Sequence, residues 1–228
     1  MAKNQTSLTL TVWRYLDQNP CLRKEMISRI INIRALARHI IKEQKINASA
    51  DAVISAIRRY DLVRSEKIFE NAKKIISQII SISTRNQLAS INVFKDTEVQ
   101  RLLPKLFSLI NYNQGDVLRI IHADESINIF IDEKNLNHVK KIIPQEKITR
   151  METNLASINV KTKLDAQRIP GVVAIMANEF AINNINVIEY MSCVTEFLWL
   201  VNEEDLLKAY NVINHLWKQN IKSEGSCP

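Results

Sequence analysis

In this 228-residue chain, the dipeptide Pro170-Gly171 offers the clearest local chemistry. A proline at the first turn of a helix has no N–H to lose. The glycine beside it lets a ligand approach the backbone closely. The unsatisfied N–H groups of such a helix start suit a carboxylate. Arg168, Ile169 and Val172 flank the pair, and Asn184 and Asn186 could add amide contacts. The same dipeptide can equally do no more than start a helix. A second set is basic: Arg34, Arg38, Arg58 and Arg59, with the hydroxyls of Ser49 and Ser55. Guanidinium groups in such a set could meet phosphates, and the competing reading is a solvated basic face.

Other chemistries lack their residues. The glycines are Gly115, Gly171 and Gly225, too few and too scattered for a phosphate-cradling loop. The cysteines (Cys21, Cys193, Cys227) and histidines (His39, His122, His138, His215) show no metal-ligand spacing. We therefore expect no metal, no disulfide framework, no cofactor and a reducing cytosol. There is no nucleophile elbow and no carboxylate pair at motif spacing, so no catalytic residues are assigned and the protein is read as a non-enzyme. No stretch is long and apolar enough for a membrane span, and the amphipathic start argues against a signal peptide.

Charge is uneven. Residues 1–86 hold 16 Lys/Arg against 7 Asp/Glu, a balance of +9, and residues 87–228 hold 15 against 17, a balance of −2. Positive charge confined to one third of a chain is an electrostatic footprint, most often for nucleic acid.

The elements that must position these groups follow from a repeat. Leu88-Ala89-Ser90-Ile91-Asn92-Val93 recurs as Leu155-Ala156-Ser157-Ile158-Asn159-Val160, an offset of 67 residues. After the first copy come a helix over 98–110, strands over 117–122 and 127–131, a short helix over 135–143 stopped by Pro144, and a strand over 147–152. After the second come a helix over 170–180, a hairpin of 186–193 with 195–201, and a helix over 203–217. Each unit reads β-α-β-β-α, an antiparallel sheet with helices on one face. The second unit has no closing strand, while a strand-like piece, 80–84, precedes the first. Strand 80–85 is therefore expected beside the second unit's sheet, which would intertwine the two.

The segments Arg168-Ile169-Pro170-Gly171-Val172-Val173, Asn183-Asn184-Ile185-Asn186-Val187-Ile188 and Glu196-Phe197-Leu198-Trp199-Leu200-Val201 resemble the ACT domain family of amino-acid-sensing modules. The similarity covers 155–217 well and 80–152 more weakly, and the pairing resembles the regulatory half of an aspartokinase without its kinase half. The resemblance implies a ferredoxin-like β-α-β-β-α-β fold in tandem, and a small amino acid at Arg168, Ile169, Pro170, Gly171 and Val172 with Asn184 and Asn186. Arg168 stands where the family places Asp or Asn. The first unit has Arg101-Leu102-Leu103-Pro104-Lys105 with no glycine, which suggests a structural partner.

Upstream, helices are expected over 8–17, 22–31, 33–43 (capped by Asn32) and 50–60 (capped by Ser49). The last two, joined by Lys45-Ile46-Asn47-Ala48, resemble a helix-turn-helix. Ile31-Asn32-Ile33-Arg34-Ala35-Leu36-Ala37-Arg38 is similar to a segment preceding ACT units in archaeal-type chains of uncharacterised function. The chain thus reads as α+β: an all-α helical module followed by tandem ACT-like domains. Its expected parts are a basic module over 1–62, a connecting helix over 63–79, ACT-like units over 80–152 and 153–218, and a polar tail over 219–228. The expected function is a cytoplasmic amino-acid-sensing regulator that binds duplex DNA as a homodimer. The alternative is a regulatory partner of an amino-acid biosynthetic enzyme that binds no DNA.

Overall fold

The apolar positions of residues 7–62 recur at helical spacing, and the computed structural model, which describes residues 7–163 and 166–224, folds them into four helices. These are α1 (Leu8–Gln18), α2 (Pro20–Ile27), α3 (Ile33–Glu43) and α4 (Ala50–Arg58), followed by α5 (Val63–Ser77). The expected tail residues 225–228, with Gly225 and Cys227, and the loop residues Leu164 and Asp165 lie outside the described residues. The chain divides into two compact units between Ala72 and Lys73, so α5 belongs partly to each.

In the first unit both expected caps form. The Asn32 side chain accepts from the N–H of Arg34 and Ala35 at 3.0 and 3.1 Å, and Ser49 Oγ accepts from Ala52 N–H at 3.2 Å. Leu36, Ala37 and Ile40 of α3 and Val53, Ala56 and Ile57 of α4 are buried together with Val12 and Leu16. Trp13 Nε1 donates to the Ala56 carbonyl at 3.0 Å, fixing α1 on α4. The helix expected over 22–31 instead runs from Pro20, which tolerates the first position, and stops at Ile27. Arg29 takes a positive φ of 56°. The Arg29 and Ile30 N–H groups turn back to the carbonyls of Met26 and Glu25, a closure that ends a helix.

The second unit is one six-stranded antiparallel sheet in the order β2-β3-β1-β4-β6-β5. Its elements are β1 (Ser81–Phe94), α6 (Thr97–Phe107), β2 (Leu118–His122), β3 (Ser126–Asp132), α7 (Leu136–Ile142), β4 (Ile148–Lys161), α8 (Val172–Ile182), β5 (Glu189–Cys193), β6 (Glu196–Asn202) and α9 (Leu206–Glu224). The repeat explains the order. The second half of β1 pairs with β3, Leu88 opposite Asp132. The second half of β4 pairs with β6, Leu155 opposite Asn202. The first half of β1 lies against the second half of β4, Ser81 opposite Lys161. Residues 81–85 therefore close the second half's sheet, as the missing strand requires, and 148–152 close the first.

Each long strand bends between its two roles. Gln87 and Asn154, 67 residues apart, take positive φ of 53° and 55°, and the ladder slips between Arg85 and Leu88. A carboxylate holds each bend: Glu203 accepts from Gln87 N–H at 3.3 Å, and Glu133 accepts from Asn154 N–H.

Side chains alternate across the ladder. Ala89, Ile91, Val93, Ile127, Ile129 and Ile131 pack with Val99, Leu106 and Val139 of α6 and α7. In the second half Trp199 meets Phe180 of α8, ring centroids 5.1 Å apart. The opposite face is buried as well, through Leu88, Phe130, Leu198 and Leu200. Arg119 on β2 is opposite Phe130 on that face. Burial pushes its guanidinium pKa down, and the carboxylates of Glu196 and Asp132 act against that. The buried side chains of this face form a second core, inside the curl of the sheet. The expectation of one covered face is corrected: both are covered. α9 also outlasts its expected end at Trp217, because no glycine or proline interrupts residues 218–224. Trp217 Nε1 donates to the Ser77 carbonyl at 3.3 Å, tying α9 to the end of α5.

Candidate functional site

The loop from β4 to α8 is strapped to the β5–β6 hairpin. Thr162 N–H donates to the Thr195 carbonyl at 2.7 Å, and the Gln167 amide donates to the Cys193 carbonyl. A 3-10 turn, Ala166–Arg168, leads to Pro170-Gly171. The helix begins at Val172, not at Pro170 as the sequence suggests. Gly171 stands at φ 94°, a left-handed conformation that suits glycine and cannot continue into a right-handed helix. Gly171 is thus the cap residue, and it has no side chain with which to cap. Its carbonyl accepts from Ile175 N–H at 2.9 Å. Among the described residues no side chain caps the first-turn N–H groups of this helix.

Asn184 and Asn186 are elsewhere. Asn184 follows the C-terminus of α8 at φ 52°, donating its N–H to the Ala181 carbonyl at 3.0 Å, while Ile185 N–H reaches Phe180 at 2.9 Å. This is a helix-ending motif. Eleven residues of helix at 1.5 Å each separate the asparagines from Gly171 by about 16 Å. One small amino acid cannot touch both ends, so the expected pairing of Pro170-Gly171 with Asn184 and Asn186 is corrected. Arg168, Ile169, Pro170, Gly171 and Val172 remain together.

The first half supplies an internal contrast. At the start of α6, Asp96 accepts from Val99 N–H at 2.8 Å and from Lys147 Nζ at 2.5 Å. Lys147 also reaches Glu98 at 3.0 Å. The Lys147 hydrogen bond, then that from Val99, holds the Asp96 carboxyl below its usual pKa. Its hydrogen bonds to Asp96, then to Glu98, raise the Lys147 ammonium pKa. The chain's own carboxylate therefore fills the position that α8 leaves open. Pro104, one residue away from the repeat position of Pro170, lies well inside α6. Hydrophobic spacing does not show the Asp96 cap, whereas Asp96 three residues before Val99 is a capping signal in its own right.

In the helical unit, Arg34, Asp51, Ser55, Arg58 and Arg59 line one cavity of about 410 Å³. Arg59 is braced, Nε to the Ser55 carbonyl and Nη2 to Thr9 Oγ1, both 3.3 Å. Arg38 and Ser49 do not line the cavity. Arg38 is exposed one turn further along α3, and Ser49 Oγ caps α4. Three guanidinium groups against one carboxylate leave this concavity positive.

No family model matches the chain, and no curated protein matches it. Solved structures do. The chain is similar to the aspartokinase alpha and beta subunits, with 14% identity and a TM-score of 0.49, over 61% of this chain and 99% of that one. It is similar to the aspartate kinase of Clostridium acetobutylicum, with 16% identity and a TM-score of 0.49, over 61% of this chain and 35% of that one. The ligand-free regulatory subunit of aspartate kinase from Thermus thermophilus has 11% identity and a TM-score of 0.48, over 61% of this chain and 99% of that one.

Among the described residues no cluster of histidine, cysteine or carboxylate side chains could hold a metal ion. No helix among them is long and apolar enough to cross a membrane.

Proposed function

We propose that this chain is a non-catalytic, amino-acid-sensing regulator built on two ACT-type units. These span 80–152 and 153–218, joined by a helix over 63–79 to a DNA-binding module over 1–62, and α9 carries the second past its expected end. It acts in the cytosol as a homodimer. The observation that carries the reading is the uncapped start of α8 beside Gly171, opposed to its Asp96-capped twin at α6. A small amino acid sets its carboxylate on the first-turn N–H groups of α8, with Arg168 beside it. Arg34, Arg58 and Arg59 meet duplex phosphates, with Arg38 alongside and Ser49 and Ser55 on the same helix-turn-helix.

The second reading is a partner of an amino-acid biosynthetic enzyme, and Asp51 favours it. A carboxylate in the first turn of α4 repels phosphates just where a reading helix meets DNA. Salt titration of DNA binding by the full chain separates the two. Neutralising about three phosphates per protomer lowers affinity roughly 40-fold between 50 and 200 mM salt. Absence of binding at low salt supports the partner reading.

A further inference from the structure

A cavity of about 660 Å³ opens at the bend of β1, lined by Arg85, Asn86, Gln87, Asp132, Glu133 and Lys134. The internal repeat provides its control. Leu88 lies opposite Asp132 and Leu155 opposite Asn202, so Arg85, Asp132, Glu133 and Lys134 correspond to Glu152, Asn202, Glu203 and Glu204. Both copies keep the carboxylate that grips the opposing bend, Glu133 on Asn154 and Glu203 on Gln87. That much the fold requires. The rest differs. Glu152, Glu203 and Glu204 sum to −3 at the second position. At the first, Arg85 and Lys134 balance Asp132 and Glu133, giving 0.

The balanced charges are spatially sorted. Asp132 Oδ1 accepts from Arg85 Nε at 2.9 Å and from Nη2 at 2.5 Å, while Oδ2 accepts from Val117 N–H at 2.6 Å. Asp116 holds Lys134 in the same way. The two carboxylates are 6% and 5% exposed, their cations 39% and 56%. The wall of the cavity therefore shows cations fixed from behind. The Glu133 carboxylate and the side-chain amides of Asn86 and Gln87 complete the lining.

We propose that this cavity binds a small zwitterion, a free α-amino acid or a short peptide. Its carboxylate lies between Arg85 and Lys134, and its ammonium meets Glu133 and the amide oxygens of Asn86 and Gln87. A cavity lined by two cations and the Glu133 carboxylate suits a ligand carrying both charges, whereas a simple anion has no use for the carboxylate. The site is distinct from the α8 entrance. Seven residues of β4 separate Asn154 from Lys161, about 23 Å of extended chain. The proposal does not rest on the reading of that entrance. Because Glu133 also holds the bend of β4, occupancy here bears directly on how the two halves join.

Calorimetric titration of the full chain tests it, with the twenty free amino acids, glycylglycine and inorganic phosphate as probes. Gly171→Asn places a side chain at the α8 entrance in a residue type that tolerates positive φ. Lys134→Gln and Gln87→Gly alter the cavity, the latter at a bend that glycine accommodates. We expect at least one amino acid or glycylglycine to bind Gly171→Asn, and binding to weaken fivefold or more in Lys134→Gln. If Lys134→Gln does not fold, Gln87→Gly decides by the same threshold. The proposal is overturned if no zwitterion binds Gly171→Asn, if the deciding variant weakens binding less than fivefold, or if phosphate binds as tightly as any zwitterion. Binding that is lost in Gly171→Asn sinks this proposal and leaves the α8 reading standing. Binding unchanged in Gly171→Asn but weakened in Lys134→Gln does the reverse.

Discussion

A glycine at the start of α8 and an aspartate at the start of α6 set the two halves apart. Asp96 spends its carboxylate on Val99 N–H and Lys147, and its folded pKa is lowered, first by the Lys147 hydrogen bond. The stability it contributes is therefore present above its unfolded pKa, near 4, and disappears as pH falls through the lower folded value. Asp96→Asn keeps an acceptor for Val99 but loses the charge. Its melting temperature should fall below wild type at neutral pH and converge with it in acid, as thermal denaturation across pH would show. Equal melting temperatures at neutral pH would remove the Asp96–Lys147 pair from the account. The sequence made Pro170-Gly171 visible, but it could not place Asn184 and Asn186. Only the length of α8, from Val172 to Ile182, puts them at its far end.

The long strands were legible as halves, not as wholes. The repeat assigned 81–85 to the second sheet, yet nothing in the residue pattern marks Gln87 and Asn154 as left-handed bends. Non-glycine residues seldom adopt that conformation, and the bend is imposed by the two sheets that β1 and β4 must serve. Gln87→Val forces a β-branched side chain into positive φ and should cost about 1–2 kcal/mol, measured by chemical denaturation. Asn184 and Arg29 end their helices in the same conformation, again without a glycine to announce it. The second core was equally hidden, because Phe130 and Leu200 sit on a face the alternation assigned to solvent. Phe130 is fully buried, so Phe130→Ala should destabilise by about 3–5 kcal/mol. A cost below about 1 kcal/mol would mean that this face of the sheet is open.

At the scale of the molecule, β2 and β5 are the edge strands of the sheet, and edges are commonly covered. Val194 and Leu207, 72% and 76% exposed, add apolar surface in the same half. Light scattering should give about twice the 26.3 kDa of one chain, and a monomer at micromolar concentration would contradict the homodimer. The uneven charge, +9 before residue 87 and −2 after it, sets a basic part of the chain apart from a nearly neutral one in the sequence alone. It could not show that Arg34, Ser55, Arg58 and Arg59 share one concavity, since that depends on how α3 packs on α4. The central claim is that an amino acid bound in one unit changes what the other unit does. The direct measurement is fluorescence anisotropy of labelled duplex DNA with the full chain at low salt, with and without the twenty amino acids at about 1 mM each. The account expects binding that changes fivefold or more on their addition, the usual lower range of coupling between sites. Equal affinity in both conditions, or no binding to DNA at all, would contradict it.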